Sequence, residues 1–209
     1  MGTSFRGRSR LMRTENKLNR RKSERGVGLV ELMIVVVIVL ITTVIALPNF
    51  LRIYRSSQLN SGATQIADIL KQTKFEAIRR NTSITCRIGT DATGSPQAYV
   101  DSNKNSQFDR GELTTVFPGS VRPVAAGGVP GTTSLASGVG TGITLTAVSP
   151  TAGTYTFDAR GAVSPAAVYV MYVANTQIPS LGYRAVVLLP SGSIQVWTAD
   201  QSGNWQVLE

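Results

Sequence analysis

Between Val27 and Leu47 the chain reads VGLVELMIVVVIVLITTVIAL, 21 residues with one charge among them. At about 1.5 Å per residue this makes roughly 32 Å of helix, which matches a hydrocarbon core of about 30 Å, so the segment can cross a membrane. Glu31 is the anomaly in it. An ionised carboxylate inside an apolar helix costs about 2.5–3.5 kcal/mol on insertion scales, so it calls for a partner. The plainer alternative is that Glu31, near the helix start, reaches back to the membrane interface. An ordinary secretory signal fits less well, because the run exceeds the roughly 7–15 apolar residues of such a signal and contains a glutamate.

The run also organises the charge. Of 209 residues, 21 are Lys or Arg and 12 are Asp or Glu, for a net charge of +9 and an isoelectric point near 10.2. Residues 1–26 hold nine of the basic residues and two of the acids, a net +7, so the remainder of the chain carries only +2. A basic flank beside an apolar run is expected to stay on the cytoplasmic side of the membrane, and this accounts for the charge without nucleic acid. Histidine is absent, which excludes Ser-His-Asp or Cys-His catalysis and histidine-ligated metals within this chain. The single cysteine, Cys86, excludes an internal disulfide and sits where Ile84 and Ile88 alternate with it as buried strand residues. No nucleophile and base pair is visible, so the chain reads as a non-enzyme.

The string Arg25-Gly26-Val27-Gly28-Leu29-Val30-Glu31-Leu32-Met33, continued by IVVVIVLI and Ala46-Leu47-Pro48-Asn49-Phe50, resembles the class III signal of type IV pilins and pseudopilins. The resemblance implies cleavage by a prepilin peptidase between Gly26 and Val27, N-methylation of Val27, and a docking role for Glu31 in subunit assembly. The physics agrees, since a neighbouring subunit's terminal ammonium would neutralise a carboxylate otherwise stranded in lipid. The sequence departs from the family in having Val27 where phenylalanine is commonest and Gly28 where threonine or serine is common. Farther on, Phe75-Glu76-Ala77-Ile78-Arg79-Arg80-Asn81 and the following Ile84-Thr85-Cys86 resemble the GspH/FimT minor pilins, in which a similar segment ends the helix before a first strand.

Residues 48–81 continue the helix. Pro48 removes a backbone donor and is expected to kink or interrupt it. Beyond it Leu51, Tyr54, Leu59, Ala63, Ile66, Leu70, Ala77 and Ile78 follow three- and four-residue spacing, an apolar stripe fit to pack on a globular domain. From residue 82 to 209 the pattern becomes short strands between turn residues, at 83–88, 97–101, 113–117, 143–148, 154–158, 167–173, 183–189, 193–198 and 205–208. The expected fold is therefore α+β and pilin-like: a long N-terminal helix, transmembrane then amphipathic, packed on an antiparallel β-sheet domain. Residues 119–153, with eight glycines, are expected to form a long, partly mobile surface insertion.

One further motif stands apart from assembly. Asp101, Asn103, Asn105, Gln107 (through its carbonyl), Asp109 and Glu112 match the oxygen positions of a 12-residue calcium loop. Against calcium, Ser106 replaces the template glycine, Lys104 and Arg110 add positive charge, and strands rather than helices flank the loop. Asx turns in a solvated hairpin explain the same residues. Calcium is the one cofactor the chain brings into view.

Taken with the resemblance, the expected protein is a minor pilin of the inner membrane. It crosses once, with a cytoplasmic N-terminus and a periplasmic domain, and then joins a pilus or a periplasmic pseudopilus. Its partners would be prepilin peptidase and other pilins or pseudopilins. A type II secretion pseudopilin of the GspH type is the near alternative. DNA capture during uptake, which some FimT-like minor pilins perform through C-terminal arginines, is disfavoured: the 25 residues from Ala185 contain no Lys or Arg to displace counterions.

Overall fold

The computed structural model describes residues 28–208. The first element, α1, is a 52-residue helix over Leu29–Arg80. The chain divides into two compact units, up to Val44 and from Ile45 onward. In the first, the helix exposes every side chain from Leu29 to Val44, and the two threonines fold their hydroxyls onto the helix's own carbonyls: Thr42 donates to Ile38 and Val39, and Thr43 to Val39 at 2.7 Å. Each of these hydroxyls is thus satisfied within the segment, as a lipid environment demands.

In the second unit the helix continues from Ile45. The expected interruption at Pro48 does not occur, for α1 is helical on both sides of it. A proline removes only the single N–H bond that would reach the carbonyl four residues back, at Val44, and the bonds of neighbouring turns carry the helix through. The stop comes instead at Asn81, which takes φ 49°. The Asn81 N–H bonds the Ile78 carbonyl and the Thr82 N–H bonds the Ala77 carbonyl, both at 3.1 Å. This is a Schellman closure, with asparagine in the left-handed position that glycine usually fills.

The buried stripe of α1 is Leu59, Gly62, Ala63, Ile66, Ala67, Ile69, Leu70, Thr73 and Ala77. Leu51, Tyr54 and Ile78, expected in the stripe, are 45%, 55% and 44% exposed. Apolar spacing therefore overstates the packed face at both ends. Gly62 marks the tightest approach: a Cβ there would lie 2.8 Å from Val121 Cγ1, so only a bare backbone lets the chain pass so close.

Two sheets follow the helix. The first runs β3-β2-β1-β6, with β1 at Ile84–Thr90, β2 at Pro96–Asp101, β3 at Thr114–Val116 and β6 at Thr154–Phe157, all antiparallel. The second runs β10-β9-β8-β7, with β7 at Val168–Asn175, β8 at Tyr183–Leu188, β9 at Ile194–Ala199 and β10 at Trp205–Val207. The free side of β7 takes two short strands. Antiparallel β4 (Val121–Val124) pairs with Tyr172–Asn175, and parallel β5 (Leu145–Ala147) pairs with Val168–Val170.

Alternation decides what each strand buries. Ile84, Cys86 and Ile88 of β1, Ala98 and Val100 of β2, Met171 and Val173 of β7, and Val186 and Leu188 of β8 join the helix stripe with Tyr155 and Phe157 in one core. The other face of the second sheet offers Val170, Tyr172, Ala185, Val187 and Trp197, and it too is covered. Its cover is the glycine-rich stretch, and here the expectation of a partly mobile surface insertion is corrected. Residues 119–153 contain β4, a 3-10 turn at Ala126–Gly128, helix α2 at Thr132–Val139 and β5. Leu135 of α2 is fully buried, and Val129 nearly so, against Trp197 and Tyr172. Burial of large apolar groups on both faces makes this sheet the middle layer of the domain.

Candidate functional site

Glu31 lies in the first turn of α1 with its side chain exposed. It is the sole charged residue between Gly28 and Leu51, and its neighbours one turn on, Ile34 and Val35, are aliphatic and exposed. The helix therefore presents one carboxylate on an apolar rod long enough to cross a membrane. Gly26 and Val27, the expected cleavage and methylation residues, lie outside the described residues. Pro48 sits within the helix, as above.

The second candidate is the loop joining β2 and β3, which pair with each other from Tyr99↔Thr114 outward. Asp101 ends β2 on the face opposite Val100 and is 1% exposed. Its Oδ2 accepts from Arg87 Nε at 2.7 Å and from the Ser106 N–H at 3.1 Å. Asn103 Oδ1 accepts the Asn105 N–H (3.1 Å), and Asn105 Oδ1 accepts the Gln107 N–H (2.9 Å). The amides of Asn103 and Asn105 both donate to Asp109 Oδ2, at 2.7 and 2.5 Å. Glu112 closes the far end, accepting the Ser102 N–H on Oε1 at 2.9 Å and the Asp109 N–H on Oε2 at 3.1 Å. Lys104 and Ser106 take φ of 64° and 67°, so Ser106 adopts the conformation for which the calcium template uses glycine. The loop thus gathers all six candidate residues, but no three Asp, Glu, Cys or His side chains among the described residues converge closely enough to hold a metal by themselves.

Three cations have roles that sequence spacing does not reveal. Alternation along β1 makes Arg87 only a solvent-side strand position, whereas it pairs with buried Asp101 and donates to Ser106 Oγ. Arg184 is 6% exposed and bonds Asn60 Oδ1 at 2.6 Å and the Tyr183 carbonyl at 2.8 Å, and its burial lowers the pKa of its guanidinium. Lys74 reaches from α1 to the Ser191 and Gly192 carbonyls in the β8–β9 turn, within the C-terminal region that would have to supply DNA-binding arginines. Its charge is spent on fastening the turn to the helix. At the helix end Arg79 and Arg80 both pair with Glu76, and the Arg79 hydrogen bond is the chief reason its carboxyl is held below its ordinary pKa. Cys86 is buried, which pushes its thiol up to about 12, with a smaller opposing effect from the Thr73 hydroxyl.

Residues 21–47 match the family model for the prokaryotic N-terminal methylation motif. The pilin-like protein PilA1 of Thermus thermophilus is 32% identical over 90 residues, 43% of this chain and 56% of that protein. The chain thus matches little more than half the length of that relative. Among solved structures, the type IV minor pilin FimU of Pseudomonas aeruginosa (strain PAO1) superposes at a TM-score of 0.46 with 13% identity, over 73% of this chain and 94% of that one. A second crystal form of FimU gives 0.45 and 14%, over 72% and 98%. A prepilin-type methylation motif, a helix able to span a membrane and an antiparallel sheet domain behind it relate this chain to pilin-like proteins in general.

Proposed function

We propose that this chain is a minor type IV pilin: a non-catalytic subunit that prepilin peptidase cleaves after Gly26 and methylates at Val27, and whose N-terminal helix then packs into a pilus or its initiation complex. The observation that carries the reading is Glu31, a lone carboxylate exposed on an apolar helix, five residues into the chain that cleavage would leave and within the matched methylation motif. Apolar side chains supply the attraction between helices, and one buried polar pair fixes their register. In the membrane the basic residues 1–26 hold the N-terminus in the cytoplasm and leave the sheet domain in the periplasm of the inner membrane. The segment Phe75–Asn81 supports placement in the GspH/FimT branch, whose type II secretion members would use the same anchor in a pseudopilus. Other pilins or pseudopilins are the expected partners, and DNA is not.

The test is mass spectrometry of the membrane-expressed chain with and without prepilin peptidase. The expected product begins at methylated Val27. Glu31→Ala is expected to leave cleavage intact and abolish incorporation into filaments. A chain that keeps its full N-terminus in the presence of active peptidase refutes the proposal.

A further inference from the structure

The loop between β2 and β3 meets the end of α1 through Arg80, which donates to the Ser102 carbonyl at 3.3 Å, and its hydrogen bonds alone would suit any tight polar turn. The independent observation lies at its base. Asp101 is 1% exposed, and its Oδ1 has no hydrogen-bond partner among the described residues, while Oδ2 is tied to the loop's own Ser106 N–H and to Arg87. A buried carboxylate oxygen left without a partner is costly and rare, so it marks a place where a ligand is owed. The oxygens nearest along the chain define that ligand. Asn103 and Asn105 each use one lone pair of Oδ1 on a backbone N–H and keep the second, and Asp109 and Glu112 bring two more carboxylates.

We propose that the Asp101–Glu112 loop binds a calcium ion, anchored by Asp101 Oδ1 and completed by Asn103, Asn105, the Gln107 carbonyl, Asp109 and Glu112. Calcium suits the set better than magnesium because the donors are six or more oxygens on a loop, with no rigid octahedron. Asp101 is the fixed point, since its own residue pairs with Thr85 and its neighbour Val100 bonds the Leu113 carbonyl on the other side. The Asn103 and Asn105 amides both occupy Asp109 Oδ2, so Asp109 contributes through Oδ1 or by giving up those amides. Three carboxylates share the loop and its neighbouring strand with three cations, Arg87, Lys104 and Arg110, so the net negative charge is small, which places affinity at the weak end of calcium loops, about 10⁻⁴–10⁻³ M.

The experiment uses the full chain in detergent micelles, stripped with chelator and titrated with calcium chloride against sodium and magnesium chlorides of equal ionic strength. The unfolding midpoint is expected to rise saturably, by about 3–6 °C at a tenfold excess over the dissociation constant. Terbium bound in the loop is expected to luminesce through Tyr99, whose hydroxyl donates to the Ser106 carbonyl at 3.2 Å, and to be displaced by calcium. The double substitution Asp109→Asn with Glu112→Gln should abolish both responses, each read as a change from the variant's own midpoint in chelator. Tyr99→Phe should remove the luminescence and keep the calcium shift. A midpoint unmoved by about 10 mM calcium, well above that affinity range, overturns the proposal and leaves Asp101 Oδ1 to a buried water. A shift that survives in the double variant, or that magnesium reproduces in full, overturns it as well.

Discussion

Truncating Leu70 to alanine tests which face of α1 carries the domain. Leu70 is fully buried in the core that α1 shares with both sheets, among Ile66, Ala77 and the inward residues of β1 and β7. Leu→Ala at such a site costs about 2–5 kcal/mol, depending on how far the surroundings collapse into the cavity. Here collapse is restricted: the helix end is closed at Asn81, Lys74 fastens the next turn to Ser191 and Gly192, and Gly62 already touches Val121. A loss of about 3 kcal/mol is therefore expected, and at about 2–4 °C per kcal/mol for a domain of this size the midpoint falls by roughly 6–12 °C. Phe75 is the matched control, five residues on and 67% exposed; Phe75→Ala should stay within about 0.5 kcal/mol of the parent. The assay is tryptophan fluorescence against temperature for the full chain in micelles. Trp197 and Trp205 both belong to the second core, on the face of the sheet away from the helix, so they report the helix-side cavity only if the layers unfold together. If Leu70→Ala melts within a degree or two of the parent, or Phe75→Ala is equally damaging, the helix packs by another face and the core described above is wrong.

Two further outcomes follow from buried and hydrogen-bonded ionisable groups. Cys86, its thiol pushed up to about 12 by burial, should resist thiol reagents at neutral pH in the folded chain and react at once in denaturant; rapid labelling without unfolding would show that β1 is not held against the helix. Three carboxyls are held below their ordinary pKa: Glu76 chiefly by Arg79, Asp91 chiefly by the Thr93 hydroxyl, and Asp200 chiefly by the Asn204 N–H. A depressed folded-state pKa stabilises above the unfolded value and is lost as pH falls through the folded one. Asp200→Asn should therefore lower the midpoint at pH 7, and the gap from the parent should close as pH falls below about 4. A gap that is the same at both ends of that range would show that Asp200 acts by shape and not by charge.

What the sequence disclosed depended on how local the cause was. The strand residues of β1 were legible because Ile84, Cys86 and Ile88 alternate with polar neighbours, and the helix end because Asn81, Thr82 and Ser83 together read as a stop and turn. All nine strand segments expected from turn spacing are present to within a few residues. β4 was missed: Val121-Arg122-Pro123-Val124 contains a proline and follows Gly119, and it is a strand only because the free side of β7 accepts it. The same holds for α2. Leu135 is the one residue of that helix that is buried, and the surface burying it comes from Trp197 and Tyr172, 62 and 37 positions away. Glycine content read as mobility because the partner surface is invisible to any local window.

The candidate sites divide along the same line. Glu31 was legible because its meaning is its immediate setting, one charge in an apolar run. The Asp101 loop was legible as a spacing of oxygens, but spacing could not say that Arg87 on the neighbouring strand would take Oδ2. The strands fix that pairing: β1 and β2 set Thr85 opposite Asp101 and Arg87 opposite Tyr99, so Arg87 and Asp101 are diagonal neighbours on the face of the sheet away from the helix. The arginine that looks like a competitor for the cation is also what, with the Ser106 N–H, holds the buried Asp101 carboxylate in place. For the proposed cation, Asp101 is therefore a ligand that the two strands and Arg87 have already positioned.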